Sequence, residues 1–331
     1  MSIKLPPPPL LVDVMSLTPF SVVDLPHTSR IKVNRVIPKR SYQSREESIK
    51  DFCEAPPSEA DVLWYAASGS GAYFLAQDLV ATKPDLDSIP VLGFSDVNYH
   101  QLGLMLASGG RCPSYYCRNL TEDLSDEYLE SVCQTVGDNQ GVCFDALDWI
   151  KAPEYRSDFE QTPTFIISGN LQILADLFSN TQTTELVYDM FKKLKADVPR
   201  FRFNVLFLLE VSNADMQPGD FYRVEIALWK LLQIMNQVPS LHYGYGIVLT
   251  ETCYGILPDD PLHLHGLLHE VLDRAKYRSV IDTLCFCGVT ESLGHTLTTD
   301  LNKTPVLPIG LMGSTLFNNN ERSLFVNWST K

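Results

Sequence analysis

Residues 89–98 read IPVLGFSDVN. Its apolar first half is typical of a buried strand, and residues 97–106 have the apolar spacing of a helix. A tight Gly-Phe-Ser-Asp turn therefore joins a strand to a helix, with Ser95 at its third position. Such a turn holds a hydroxyl clear of the backbone and beside the first amides of a helix, which favour developing negative charge.

Ser95 has two interpretations at this point. The turn matches the Gly-x-Ser-x-Gly pattern of a nucleophilic serine only in part, because Val97 stands where the second glycine would be. A serine before a helix more often accepts hydrogen bonds from the first helical amides as a cap. The stretch alone leaves both interpretations open.

Strand-like and helix-like segments alternate along the chain, which predicts an α/β fold with a mainly parallel sheet. The polar, proline-bearing segment 151–164 interrupts the alternation and is the predicted linker between two domains, 1–150 and 165–331. The first is expected to be flavodoxin-like or Rossmann-like, and the second an α/β domain with a β-rich tail. The predicted strands cover residues 10–14, 61–65, 91–94, 165–168, 203–211, 244–249 and 280–287, with short strands in 305–327. The predicted helices cover residues 44–52, 72–80, 97–106, 123–136, 186–194, 222–235 and 264–275, with another from 171.

Composition narrows the possible partners. With 26 basic and 40 acidic residues in 331, the net charge of -14 disfavours nucleic acid and anionic membranes as partners. No signal peptide or membrane-spanning segment is evident, and the eight cysteines are scattered, which indicates reduced thiols in a cytoplasmic protein. A soluble enzyme or a binder of small polar molecules is expected, and whether it forms a homodimer is left open.

Two further motifs have weaker functional interpretations. The glycine-rich segment 67–72 joins a strand to a helix, but Phe74 takes the third glycine position of a dinucleotide-binding loop, which disfavours that cofactor. His263, His265 and His269, with Glu270, offer a His-x-x-x-His spacing on one helical face that could hold zinc. A zinc hydrolase would add a further ligand and a base in register, and none is evident, so a solvated helix is favoured. The sequence therefore predicts neither a cofactor nor a metal.

Two later residues complete a serine-based pattern. Glu210 ends a strongly apolar strand, and His295 lies in a loop beyond a later strand. With Ser95 they stand in the order nucleophile, acid, histidine, each at the end of a predicted strand or beyond one, where α/β active sites gather.

At this point the sequence resembles the LD-carboxypeptidase family of serine peptidases, which includes the microcin-immunity peptidases. The resemblance runs from about residue 60 to the C-terminus. Five segments carry it in the family's order: GFSD at 93–96, GNL at 169–171, LE at 209–210 with YRVE at 222–225, GHT at 294–296 and LPIG at 307–310.

The resemblance implies a Ser95, Glu210 and His295 catalytic triad, with backbone amides of Gly69 and Asp96 forming the oxyanion hole. It also implies that the nucleophile lies in the first domain and that the glutamate and histidine reach it across a cleft. The chain departs from the family at Ala67, Ser68 and Ser70, where arginine, glycine and tyrosine are expected, and at 111–113, where RCP replaces HGP. The missing side chains leave substrate contacts different from those of the family.

The implied substrate is a small peptide, the murein tetrapeptide of cell-wall recycling, which would lose its terminal D-alanine. An acidic chain needs a local basic group to bind this anionic peptide, and Arg111 is the predicted contact, with Arg118 as a second candidate. Two alternatives stay open. One is microcin-immunity-type hydrolysis of a peptidyl-nucleotide, with Trp149 or Tyr115 as candidate stacking groups, and the other is a catalytically silent peptide-binding protein.

Overall fold

The computed structural model describes the residues that form the strands, three helices and some of the connecting turns. These are residues 8–16, 25–26, 28–37, 59–67, 72, 76, 89–110, 114–121, 124–137, 142–144, 148–149, 164–170, 173–174, 176–177, 180–197, 204–211, 245–251, 284–288, 306–311, 314–318 and 323–327. Within them, no helix is both long enough and apolar enough to span a bilayer.

The strands and helices are numbered here in chain order. The strands are β1 Leu10–Ser16, β2 Ile31–Ile37, β3 Val62–Ala67, β4 Val91–Gly93, β5 Ser114–Tyr116, β6 Val142–Phe144, β7 Asp148–Trp149, β8 Thr164–Asn170, β9 Asn204–Val211, β10 Tyr245–Glu251, β11 Leu284–Gly288, β12 Leu307–Leu311, β13 Ser314–Asn318 and β14 Ser323–Asn327. The helices are α1 Val97–Ser108, α2 Asp126–Gly137 and α3 Thr181–Asp197.

The described strands form one sheet of 11 strands, in the order β2-β1-β3-β4-β5-β12-β8-β9-β10-β11-β7, and a second of three strands, β13-β14-β6. Strands β1 to β5 are parallel to one another, as are β8 to β11. Because β12 is antiparallel to both β5 and β8, the two parallel groups run in the same direction. Their carboxyl ends therefore lie along one edge of the sheet.

The α/β prediction is confirmed, and every predicted strand overlaps an observed one. The predicted helices at 97–106, 123–136 and 186–194 correspond to α1, α2 and α3, whereas those at 44–52, 222–235 and 264–275 lie outside the described residues. Ala72 and Ala76 are helical, within the predicted 72–80 helix.

The sequence analysis missed four strands, β2, β5, β6 and β7. Strands β5, β6 and β7 contain two or three residues each, too few for an alternation to be recognised. Strand β2 lies at the edge of the sheet and is partly exposed, so its apolar residues are interrupted by Lys32, Asn34 and Arg35.

The tail contributes short strands as predicted, and one of them, β12, joins two groups of strands. It pairs with β5 through residues 307–309 and with β8 through residues 310–311. Strands β1 to β5 and strands β8 to β11 therefore meet in one sheet through β12, while the division into two domains at 151–164 remains a prediction.

Candidate active site

The turn between β4 and α1 has a strained backbone at Ser95. Its φ is 59°, and Ser95 is the one non-glycine residue with positive φ among those that the structure describes. This left-handed conformation costs a residue with a Cβ of order 1 kcal/mol or more, and it persists only where surrounding contacts enforce it. A strained strand-to-helix turn is the conformation that presents a nucleophilic serine in α/β hydrolases.

The turn is so tight that it needs a glycine at its first position. A Cβ on Gly93 would lie 2.6 Å from Val97 Cγ1 and 3.2 Å from Tyr65 Cβ. Val97 is fully buried, which means that its side chain fills the space that Gly93 leaves open. The departure from Gly-x-Ser-x-Gly is thus accommodated, because one glycine provides the clearance that the turn requires.

Ser95 does not act as the cap of α1. The N-cap residue is Asp96, and its side chain makes no capping hydrogen bond. Ser95 contributes its carbonyl oxygen, which accepts from the Asn98 N–H at 2.8 Å. The capping interpretation of Ser95 therefore has no support in the geometry of the turn.

Three hydrogen bonds from neighbouring elements enforce the strained turn. Asn119 Oδ1 accepts from the Phe94 N–H at 2.9 Å, and the Cys117 N–H donates to the Gly93 carbonyl at 3.0 Å. Gln101 Nε2 also approaches the Gly93 carbonyl, at 3.3 Å, and donates to the Tyr115 carbonyl at 2.7 Å. The residues flanking Ser95 are thereby tied to β5 and the loop that follows it.

A buried histidine lies on the same helix. His100 and Tyr65 are both fully buried, their rings meet edge to face at 5.6 Å, and the Tyr65 hydroxyl is hydrogen-bonded to His100 Nδ1. Burial lowers the pKa of His100 to about 3 and raises the pKa of Tyr65. The imidazole is therefore neutral at physiological pH and unsuited to accept a proton from Ser95.

Of the other predicted site residues, Asp96 and Glu210 lie on described backbone. Glu210 is the penultimate residue of β9, opposite Asn170 of β8 and Thr250 of β10. It is therefore at the carboxyl edge of the sheet, the same edge at which β4 leads into Ser95. Gly69, Arg111, His295 and the cluster of His263, His265 and His269 lie outside the described residues.

Two residues considered for substrate binding have other contacts. The Arg118 guanidinium lies over the Tyr128 ring, 5.8 Å from its centroid. Tyr115 is 3% exposed, and burial raises its pKa to about 12, so its ring presents no face to a ligand. Tyr115 is therefore excluded as the stacking group of the peptidyl-nucleotide alternative.

The sequence analysis also missed the residues that hold the turn. Asn98, His100 and Gln101 are fully buried polar residues within the first turns of α1. The sequence could have indicated them, because two amide side chains and one imidazole lie within four positions of an otherwise largely apolar segment. Asn119 carried no comparable signal, because its role depends on a contact 25 positions away.

Comparisons with known proteins show where this fold has been seen. No protein-family model matches the chain, and no curated protein matches its sequence. An MccF-like protein from Bacillus anthracis strain Ames has the same fold, with a TM-score of 0.55 at 12% identity over 97% of each chain.

Two further structures of MccF itself give similar values. MccF in complex with glutamyl sulfamoyl guanosine has a TM-score of 0.57 at 11% identity, over 98% of this chain and 97% of that chain. The wild-type, ligand-free microcin C7 self-immunity protein MccF has a TM-score of 0.57 at 12% identity, with the same coverage. The expected α/β fold is confirmed, and it is the fold of the microcin C7 self-immunity protein MccF.

Proposed function

We propose that this protein is a serine hydrolase that cleaves an amide bond by the LD-carboxypeptidase mechanism, with Ser95 as nucleophile. The observation that supports the proposal is the positive φ of Ser95 in a strand-turn-helix junction at the carboxyl edge of the sheet. A purely structural serine would gain nothing from this conformation, whereas a nucleophile gains exposure of its hydroxyl.

In the proposed reaction Ser95 Oγ attacks the carbonyl carbon of an amide between an L-centre and a C-terminal D-amino acid. His295 accepts the serine proton and returns it to the leaving amine as the C–N bond breaks, while Glu210 orients the imidazole and stabilises its cation. Water then hydrolyses the acyl-enzyme and regenerates the serine. The N–H groups of Gly69 and Asp96 bind the oxyanion, each worth about 3 kcal/mol of transition-state stabilisation.

The proposed substrate is the murein tetrapeptide, which loses its terminal D-alanine, with Arg111 as the proposed anion contact. The acidic chain makes such a local positive group necessary. We place the protein in the cytoplasm, where this substrate would be recycled. Cys117 and Cys133, which are buried and not joined in a disulfide, fit a reducing compartment.

A second substrate class is favoured by one observation, the likeness of the fold to MccF solved with glutamyl sulfamoyl guanosine. The same Ser95 chemistry would then cleave an amide or acyl-phosphoramidate bond of a peptidyl-nucleotide. The base would be recognised by a residue other than Tyr115.

The test incubates the purified chain with murein tetrapeptide, or with a glutamyl-nucleotide amide, and measures released D-alanine or glutamate by mass spectrometry. Ser95→Ala should abolish release, while Ser108→Ala, a serine on the same helix whose hydroxyl bonds the Met105 carbonyl at 3.3 Å, should not. Release from neither substrate, together with no reaction with a fluorophosphonate probe, would identify a silent binding protein instead.

A further inference from the structure

The first turn of α1 is attached to β8 by a buried side chain. Asn98 is fully buried, and its Nδ2 lies 3.3 Å from the Ser168 carbonyl oxygen and 3.3 Å from Gln101 Oε1. Ser168 is in the second half of the chain, so this contact connects the element after Ser95 to a strand 70 positions away. An amide is costly to bury unless it is hydrogen-bonded, and here the Nδ2 is bonded to the carboxyl end of β8, while the Oδ1 has no partner among the described residues.

The residue of β8 that accepts this contact also bonds β12. The ladder between the two strands covers Phe165 and Ile166 of β8, and the next residues of β12 include Pro308, which has no N–H to donate. The Ser168 hydroxyl donates to the Pro308 carbonyl, and the Ser168 carbonyl takes its hydrogen bond from Asn98. Ser168 therefore bonds β12 through its hydroxyl and α1 through its carbonyl.

Gly169 is shaped to receive the same side chain. Its φ is 147°, and a Cβ at this position would lie 2.0 Å from Asn98 Oδ1 and 2.4 Å from Asn98 Nδ2. These distances are far below contact distance, so only glycine leaves room for the amide. Asn98 and Gly169 therefore fit each other where α1 packs on β8. The contact of Asn98 with Ser168 and Gly169 is called the seam below.

This seam brings Ser95 toward the strand of Glu210. In a flat sheet, β4 and β8 would be three strand spacings apart, about 14 Å. Instead, Cα atoms of β5 and β8 come within 8 Å of each other, and a side chain three positions after Ser95 bonds the end of β8. Asn170, two residues beyond Ser168, is paired with Glu210 in β9. The end of β8 therefore lies between the nucleophile turn and the backbone of the predicted acid.

We infer that Asn98 is a positioning residue that holds the Ser95 turn against the carboxyl end of β8 and so sets its distance from Glu210. The inference rests on the proposed function, since it assigns Ser95 and Glu210 to one reaction. Asn98 touches no reacting atom and acts through the placement of α1.

The experiment measures labelling of the full chain by a fluorophosphonate probe, separating the maximal rate of inactivation from the probe concentration that gives half of it. Asn98→Leu keeps the side-chain volume and removes the donor. We expect a maximal rate about 10- to 100-fold lower, with the half-saturating concentration unchanged within about twofold, because misplacement of a reacting group acts on the chemical step. The final labelled fraction reports the amount of folded protein and should stay near that of the unmodified chain.

The matched control is Asp13→Asn in β1, two strands from β4. Asp13 is buried and accepts from Arg35 Nε at 2.7 Å and Asn34 Nδ2 at 2.9 Å, so its loss disturbs a buried polar contact between β1 and β2, which involves neither β4 nor α1. Its maximal rate should remain within about twofold of the unmodified chain. If Asn98→Leu reacts as fast as this control, the inference is overturned while the proposed function stands.

A double-mutant cycle tests the seam itself. Gly169→Ala should slow labelling in the unmodified chain and slow it less in an Asn98→Ala background, where the amide is gone. The strain of a Cβ at φ 147° is present in both backgrounds and cancels in the cycle. Equal effects in both backgrounds would overturn the inference, and absence of any labelling in the unmodified chain would overturn it together with the proposed function.

Discussion

The two halves of α1 are both mostly buried, but the side chains that they bury differ in chemistry. The half that follows Ser95 buries the polar side chains Asn98, His100 and Gln101, whereas the second half buries Leu104, Met105 and Leu106. Each polar side chain bonds a different part of the sheet: Asn98 bonds β8, His100 bonds β3, and Gln101 bonds β4 and β5.

This difference explains how a strained turn is kept in place. Apolar packing is non-directional and tolerates small shifts, while hydrogen bonds to fixed backbone groups have defined lengths and angles. The polar half of α1 therefore defines the position of the helix relative to three parts of the sheet, and the apolar half supplies stability. If this division is correct, substitutions in the two halves should have separable effects on reactivity and on unfolding.

The largest expected effect lies at the turn itself. Ser95→Ala should lower hydrolysis and probe labelling by at least about 1,000-fold, since no nucleophile remains, with the far-UV circular dichroism unchanged. The substitution should not relieve the strain of the turn, because alanine has a Cβ as serine does and keeps the same φ of 59°. Persistent labelling of this variant would move the nucleophile elsewhere, with Ser68 and Ser70 as the next candidates.

In the apolar half, Leu104→Ala should lower the free energy of unfolding by about 2–5 kcal/mol, the cost of an unfilled cavity in a core. Leu104 is 1% exposed and packs in a cluster with Leu63, Val91 and Val97. Urea denaturation measures the loss. The labelling rate of the folded fraction should stay within about twofold, and a large fall in that rate would show that the apolar half also positions Ser95.

In the polar half, Gln101→Leu should cost about 1–3 kcal/mol of unfolding free energy, because the Tyr115 and Gly93 carbonyls lose a donor. It should also slow labelling, in contrast to Leu104→Ala. Denaturation and labelling of the two variants side by side compare the two halves directly. A Gln101→Leu protein that is more stable and equally reactive would mean that the buried amide has no positioning role.

The effect that is smallest near neutral pH concerns acid stability. The pKa of His100 is about 3 in the folded protein and about 6.5 when unfolded, so only the unfolded state binds this proton between those values. His100 makes no pH-dependent contribution above about pH 6.5, and below it stability falls by about 1.4 kcal/mol per pH unit. His100→Gln should remove this contribution, which urea titrations at pH 7, 6 and 5 would detect as a shallower decline than that of the unmodified chain.

The sequence predicted most of the fold because its strands and helices have clear apolar periods, as in β8, β9 and α3. It also located the strained turn, since strand, Gly-Phe-Ser-Asp and helix follow one another without interruption. It could not predict the contacts of Asn98 with Ser168 or of Asn119 with Phe94, because these depend on how distant segments meet. Nor could it predict β2, which as an edge strand has no continuous apolar run.

Strand β12 has a consequence for the order in which the protein can fold. Its partners β5 and β8 are formed by residues 114–116 and 164–170, yet β12 itself comes from residues 307–311. During synthesis the centre of the sheet therefore cannot form until β12 is made, more than a hundred residues after β5 and β8. Until then β5 and β8 expose unpaired edges, which are slow to close and prone to join other chains. A chaperone that shields these edges would be needed most at this stage.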